Sequence, residues 1–194
     1  MITIYLDSSN RDMSVGIADG DKLLEVVSYE AWQSQSEVMV PELDKLLTKH
    51  HVARQDIQDI VVANGPGSYT GVRIAVTIAK TISACLDINI YPVSSLHILK
   101  DFDKPSICLI NARSKRSYIG VYQNEKCLLS DQIMTNDEVL KYIQEHPQYA
   151  ICGDTTYLNI EGVKSDVIKQ MQLLKKYLKP VQNPLGLSPV YMKD

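Results

Sequence analysis

The spacing of apolar and polar residues changes period several times along the chain. Residues 2–6 form a short apolar run that stops at Asp7-Ser8-Ser9-Asn10, a cluster of turn formers. Apolar runs at 14–18 and 22–29 follow, separated by Asp19-Gly20-Asp21, and Asp-Gly between such runs signals a hairpin. Three strands are therefore predicted. From Ser36 the period becomes helical, with Met39, Leu43, Leu46 and Leu47 on one face of a helix reaching about Lys49. Ser36 is its predicted cap, and Pro41 falls near the first turn, where proline is tolerated. A strand over 57–63, a helix ending near Leu86 and a strand over 88–93 complete this half.

From about Pro105 the same order returns. Strands are predicted over 106–112, 117–123 and 126–133. Thr135 and Glu138 stand at capping-box spacing before a helix over 135–145. A strand over 149–152 and a helix over 165–178 close the chain. Each half reads strand-strand-strand-helix-strand-helix. The expected class is α/β, with two lobes of one βββαβα plan at residues 1–104 and 105–194.

The link between the strand at 57–63 and its helix reads NGPGSYTGVRIAVTIAK over 64–80. No lysine follows Gly71, so the phosphate-binding G-x-x-x-x-G-K-[ST] pattern fails. Thr70 takes the third glycine position of G-x-G-x-x-G. Pro66 and Thr70 stand where G-x-S-x-G needs glycines around Ser68. Two roles stay open: an anion site on free N–H groups at the helix start, or a tight turn capped by Ser68 or Thr70. Along the helix, Arg73, Thr77, Lys80 and Ala84 make a narrow polar strip. Val72, Val76, Ala79, Ser83 and Leu86 flank it on one side, and Ile74, Ile78, Ile82 and Cys85 on the other. The apolar arc is roughly 200°, about twice that of an ordinary surface helix. Such a helix is either sandwiched within the fold or shared between its own core and a partner. Gly71, Ala75 and Ala79 recur every four residues and permit close helix approach.

Composition narrows the classes. With 194 residues, 45% of them hydrophobic, a sizeable core is affordable, and a net charge of −3 argues against an autonomous nucleic-acid binder. Lys175, Lys176 and Lys179 form the densest basic group, read as a solvated helix end. Cys85, Cys108, Cys127 and Cys152 form no C-x-x-C pair and lie in apolar runs, as expected of buried free thiols. No stretch reaches the length of a membrane span, so a cytoplasmic protein is expected. None of His50, His51, His97 and His146 is three or four residues from another, so no helical metal pair is expected.

GPGSYTGVRIAVTIAK, together with YLDSS after the first strand, NARSKRSYIGVY at 111–122 and LSPVYM at 187–192, resembles the hallmark segments of the bacterial TsaB (YeaZ) family. The resemblance covers essentially the whole chain. It implies the actin-like ATPase (ASKHA) fold. It also implies a dimerization subunit of the machinery that makes threonylcarbamoyladenosine in tRNA. On this reading the chain is no enzyme by itself and supports a catalytic TsaD-type paralogue through its first two helices. A TsaE-type ATPase completes the complex, and tRNA is reached only through it.

The interface residues so implied are Met39, Leu43, Leu46, Val72, Ile74, Ala75, Ile78, Ala79 and Ile82. The isolated chain is expected to pair with itself over 36–49 and 71–86. Gln35 replaces the family's frequent histidine and Asn111 its aspartate, and the second lobe looks short.

The alternative is a self-sufficient small-molecule kinase or ATPase of the same fold. For that, Asp7 is well placed, with Ser9, Gly67 and Ser68 as further ligand candidates. Ser8-Ser9, however, stand where glycine should let the backbone approach phosphate. Asn111 and Arg113 stand where the second lobe should offer an acid, and Gly153 is single where a pair is usual. No catalytic or metal residue and no tightly bound cofactor is expected, and a nucleotide at the complex interface is left open.

Overall fold

The computed structural model describes residues 1–192; residues 193 and 194, the end of the expected second lobe, lie outside the described residues. Two sheets organise it. The first has the order β3-β2-β1-β4-β5, built from β1 (Ile2–Asp7), β2 (Asp12–Asp19), β3 (Lys22–Glu30), β4 (Ile57–Ala63) and β5 (Asn89–Val93). The second has the order β8-β7-β6-β9, built from β6 (Ser106–Arg113), β7 (Arg116–Gln123), β8 (Lys126–Thr135) and β9 (Ala150–Gly153). In both, the first three strands are antiparallel, and the strand after the helix joins the first strand of its half, β1 or β6, in parallel. The expected two-lobed α/β plan is thus present in each half.

Alternation of period two distributes the first sheet between two cores. Ile2, Ile4, Leu6, Ile60 and Val62 face α1 (Gln35–Lys49) and α2 (Tyr69–Leu86). Tyr5, Val61 and Ala63 face the opposite side, where Ile168, Met171 and Leu174 of α4 (Val167–Lys175) pack on them. The last helix of the second repeat therefore covers the first sheet. It is held by Lys175, whose Nζ reaches Asp59 Oδ2 at 2.6 Å and Thr3 Oγ1 at 2.7 Å. The second sheet carries α3 (Asn136–Glu145) on one face, over Ile107, Leu109, Ile119 and Val121. Its other face meets the connector around Leu96.

Local chemistry explains the helix boundaries. Thr135 and Glu138 form the expected capping box on α3. Ser68 caps α2 by accepting from the Gly71 N–H at 3.2 Å. Helix α1 begins at Gln35 with Ser34 at the cap position, so Ser36 lies in its first turn, not at the cap. Helix α4 is shorter than expected: Asp166 caps it, while Ser165 turns away to donate to the Leu99 carbonyl. After α4, the chain returns over the first lobe. The Val181 N–H donates to the Ile90 carbonyl at 2.9 Å, and the Val190 N–H donates to the Asn64 carbonyl at 2.7 Å.

Cysteine burial departs from expectation at two positions. Cys108 and Cys152 are buried, whereas Cys85 and Cys127 are exposed. Cys85 lies on the outer flank of α2 and Cys127 on the edge strand β8, places that an apolar run in sequence does not reveal.

Candidate functional site

The glycine loop and the turn after β1 come together, chiefly by bonding to each other. The Ser68 N–H donates to the Ser9 carbonyl at 2.7 Å, and the Ser8 hydroxyl donates to the Gly71 carbonyl at 2.8 Å. A side chain at Gly67 would run into the Ser9 backbone, and one at Gly71 into the Ser8 carbonyl. The glycines thus permit two loops of the same chain to touch. Asp7 is 6% exposed and accepts the Ser9 N–H at 2.9 Å. Burial pushes its carboxyl above the usual range, and the Ser9 hydrogen bonds offset part of that rise. The four weak ligand candidates Asp7, Ser9, Gly67 and Ser68 therefore share one place, with much of their bonding capacity used internally.

A cleft of about 770 Å³ opens beside these loops, between the lobes. Asn10, Arg11, Trp32, Tyr69 and Thr70 line one wall, and Asn111, Arg113, Tyr118, Asp154 and Tyr157 the other. Asn111 Oδ1 accepts the Arg113 N–H at 2.9 Å, so its side chain serves its own turn. Tyr157 donates to Ser117 at 2.6 Å, and burial pushes its phenol up to about 12.

In the connector after β5, Ser94 donates to Asp131 of β8, as does Tyr122 of β7. His97 stacks on Tyr122 with ring centroids 4.1 Å apart and meets the Asn124 carbonyl through Nε2 at 3.0 Å. Burial lowers the His97 pKa and raises that of Asp131. Serine, histidine and aspartate are close here, yet the imidazole is engaged with Asn124 while the Ser94 hydroxyl donates its hydrogen bond to Asp131. That is a structural latch, not a nucleophile with its base. The other histidines are apart: His50 meets Glu25 at 2.7 Å and His146 the Tyr142 carbonyl at 2.8 Å. Among the described residues, no three of His, Cys, Asp and Glu converge on a possible metal position.

The helix pair is used in two ways. Met39, Leu43, Leu46, Val72, Ala75 and Ala79 are all at most 4% exposed and belong to the first core. Their surface is spent inside the chain, which takes six residues of the expected interface set out of a partner's reach. The other three, Ile74, Ile78 and Ile82, are partly buried against that core and lie along the outer flank of α2. Ile74 and Ile78 line a shallow groove of about 430 Å³ with Ser36 and Val40 of α1 and Tyr69, Thr70, Arg73 and Thr77 of α2. Val40 is 49% exposed and Tyr69 61%. Val40 is not in the expected interface set because it lies off the 39/43/46 stripe; an apolar residue off that stripe is the sequence signal for the groove. The wide arc of α2 is thus divided between its own core and an outward groove.

Each half repeats one α/β strand order, the first-lobe loops bond to each other and an apolar groove opens outward between α1 and α2; comparison with known proteins gives the family. The family model "TsaD: tRNA N6-adenosine threonylcarbamoyltransferase" matches residues 26–175. The chain belongs to this family, as a TsaB/YeaZ member. The tRNA threonylcarbamoyladenosine biosynthesis protein TsaB of Bacillus subtilis (strain 168) is 37% identical over 145 residues, which are 72% of this chain and 62% of that protein. The match thus spans under two thirds of that relative's length. Uncharacterized protein MG208 of Mycoplasma genitalium is 28% identical over 201 residues, covering 98% of this chain and 94% of its own. YeaZ from Pseudomonas aeruginosa superposes with a TM-score of 0.79 at 20% identity, covering 98% of this chain and 99% of the other, which establishes the fold. No helix among the described residues is long and apolar enough to cross a membrane.

Proposed function

We propose that this chain is a non-catalytic subunit of the complex that makes threonylcarbamoyladenosine in tRNA, and that it docks a TsaD-type catalytic paralogue on the α1–α2 groove. The observation that carries this reading is the division of α2. Its inner flank is spent in the core, while Ile74 and Ile78 face outward beside Val40 and Tyr69. An apolar strip of this kind, rimmed by Ser36, Thr70 and Arg73, is the ordinary anatomy of a protein interface. The occupant follows from family membership. The matching model is that of TsaD, and its match over residues 26–175 includes both α1 and α2, which supports a paralogue with an equivalent helix pair to offer. Two such pairs can pack around a pseudo-twofold axis. In the absence of the paralogue, a second copy of this chain can occupy the groove in the same way.

The first-lobe loops favour support over chemistry. Three N–H groups of these loops already have partners within the chain: that of Ser68 donates to the Ser9 carbonyl, that of Gly71 to the Ser68 hydroxyl and that of Ser9 to Asp7. The test is a reconstituted modification assay with the paralogue, the TsaE-type ATPase, substrate adenylate and tRNA. With protein near the wild-type Kd, Asp7→Ala is expected to lower the rate only modestly, and Ile78→Glu to remove most of it, because activity follows the assembled fraction. A loss of about a hundredfold or more from Asp7→Ala in an intact complex would make the loop a working site and overturn the reading.

A further inference from the structure

Residues 181–191 run back over the first lobe, and this return is well anchored. Val181 extends the β5 edge through its bond to Ile90. Leu187 is 9% exposed in the first core, and its carbonyl accepts from Lys80 Nζ at 3.0 Å. Val190 bonds to Asn64, and its carbonyl lies so close to Gly65 that an added Cβ would stand 2.6 Å away. Gly65 has φ +108°, which a side chain would also oppose.

This anchoring delivers Tyr191 onto Tyr69, with ring centroids 4.8 Å apart and planes 26° from parallel. Arg73 holds the same ring from one turn further along α2: its Nη1 donates to the Tyr69 hydroxyl at 3.0 Å, and its guanidinium lies 5.4 Å from the ring centre. Tyr69 lines both the groove and the interlobe cleft, so it is the ridge between them. A tyrosine this exposed would ordinarily sample several rotamers, and fixing one on binding costs free energy. Here Tyr191 and Arg73 fix it beforehand.

We propose that Tyr191 is a positioning residue for the partner site: the returning segment stacks it on Tyr69 and so pre-forms the end wall of the α1–α2 groove for the paralogue. The proposal rests on the reading of that groove as the docking site. Since an offset aromatic pair contributes modestly beyond its contact area, Tyr191→Ala should weaken binding roughly three- to tenfold. Tyr191→Phe keeps the ring and should stay within about twofold of wild type. Because Tyr191 is itself 42% exposed, Tyr191→Ala should lower the melting temperature by only a few degrees and Tyr191→Phe should match wild type.

The experiment is calorimetric titration of the purified TsaD-type paralogue into the full chain, carried out for wild type, Tyr191→Ala, Tyr191→Phe, Tyr69→Ala and the double alanine variant. If Tyr191 acts through Tyr69, Tyr191→Ala has little further effect once Tyr69 is alanine. A loss that persists undiminished in the Tyr69→Ala background would make Tyr191 an independent contact and overturn the proposal. Binding equal to or tighter than wild type for Tyr191→Ala would overturn it too, the tighter case meaning that the segment obstructs the groove. If Tyr191→Ala alone fails, the docking site stands. If wild type itself does not bind, docking and positioning fall together.

Discussion

Replacing Lys175 by methionine tests how the second repeat is fastened to the first. Lys175 Nζ lies 2.6 Å from Asp59 Oδ2 and 2.7 Å from Thr3 Oγ1, with its side chain 19% exposed. Asp59 is 5% exposed, and its other oxygen accepts from Asn89 at 3.0 Å. Methionine keeps most of the aliphatic stem, so the perturbation is mainly the lost charge, including the ammonium that lies 5.6 Å from the Tyr91 ring centre. It leaves a buried carboxylate with one neutral donor. Breaking such a pair typically costs 3–5 kcal/mol, and the partial exposure of the lysine points to the lower end, about 3 kcal/mol. Urea unfolding at neutral pH should show that loss as a lower midpoint with an unchanged slope. Adding Asp59→Asn to Lys175→Met should recover most of it, because the stranded charge is then gone. A loss under about 1 kcal/mol for the single variant, or no recovery in the double, would refute the reasoning.

Asp7→Asn should raise the melting temperature at pH 7.5. Burial raises the folded-state pKa of Asp7, so its charge is penalised above that value, and the penalty fades as pH falls through it; a difference between wild type and variant that does not shrink toward pH 4 would contradict this. Val72→Ala, at a position 1% exposed, should cost about 2 kcal/mol in denaturant unfolding while leaving the affinity of the folded chain for the paralogue unchanged. A selective loss of affinity would put the inner flank of α2 at the interface after all.

Much of this architecture was legible in the sequence because both halves repeat local signals that tertiary contacts do not override. The Asp19-Gly20 turn, the Thr135/Glu138 capping box and the Val- and Ile-rich run of β4 each fix an element where it was expected. Helix α2 was legible as a helix with an unusually wide apolar arc, but not whether the fold would take all of that arc, nor which flank its core would take. Val72 and Ile78 are equivalent by composition, and only the placement of β1 and β4 beneath α2 buries one of them fully. For α1, the regular stripe of Met39, Leu43 and Leu46 proved to be core, and the off-stripe Val40 proved to be groove. Sequence spacing was silent about long-range returns: nothing local says that α4 will cover the first sheet, or that Tyr191 will rest on Tyr69. The same holds for the glycine loop. Its motif could be tested against known phosphate patterns, but the contacts of Gly67 and Gly71 with the turn after β1 join residues about sixty positions apart.

The most direct test of the docking claim is titration of the TsaD-type paralogue into Val40→Glu and Ile78→Glu, each checked for native circular dichroism and cooperative unfolding. Val40 is 49% exposed and Ile78 only partly buried, so a carboxylate at either position can reach water in the free chain. In the complex it would be buried without a partner. The account predicts folded variants that bind about thirtyfold or more weakly than wild type, the loss expected when an interface centre is disrupted. Folded variants that both bind within about threefold of wild type would contradict it.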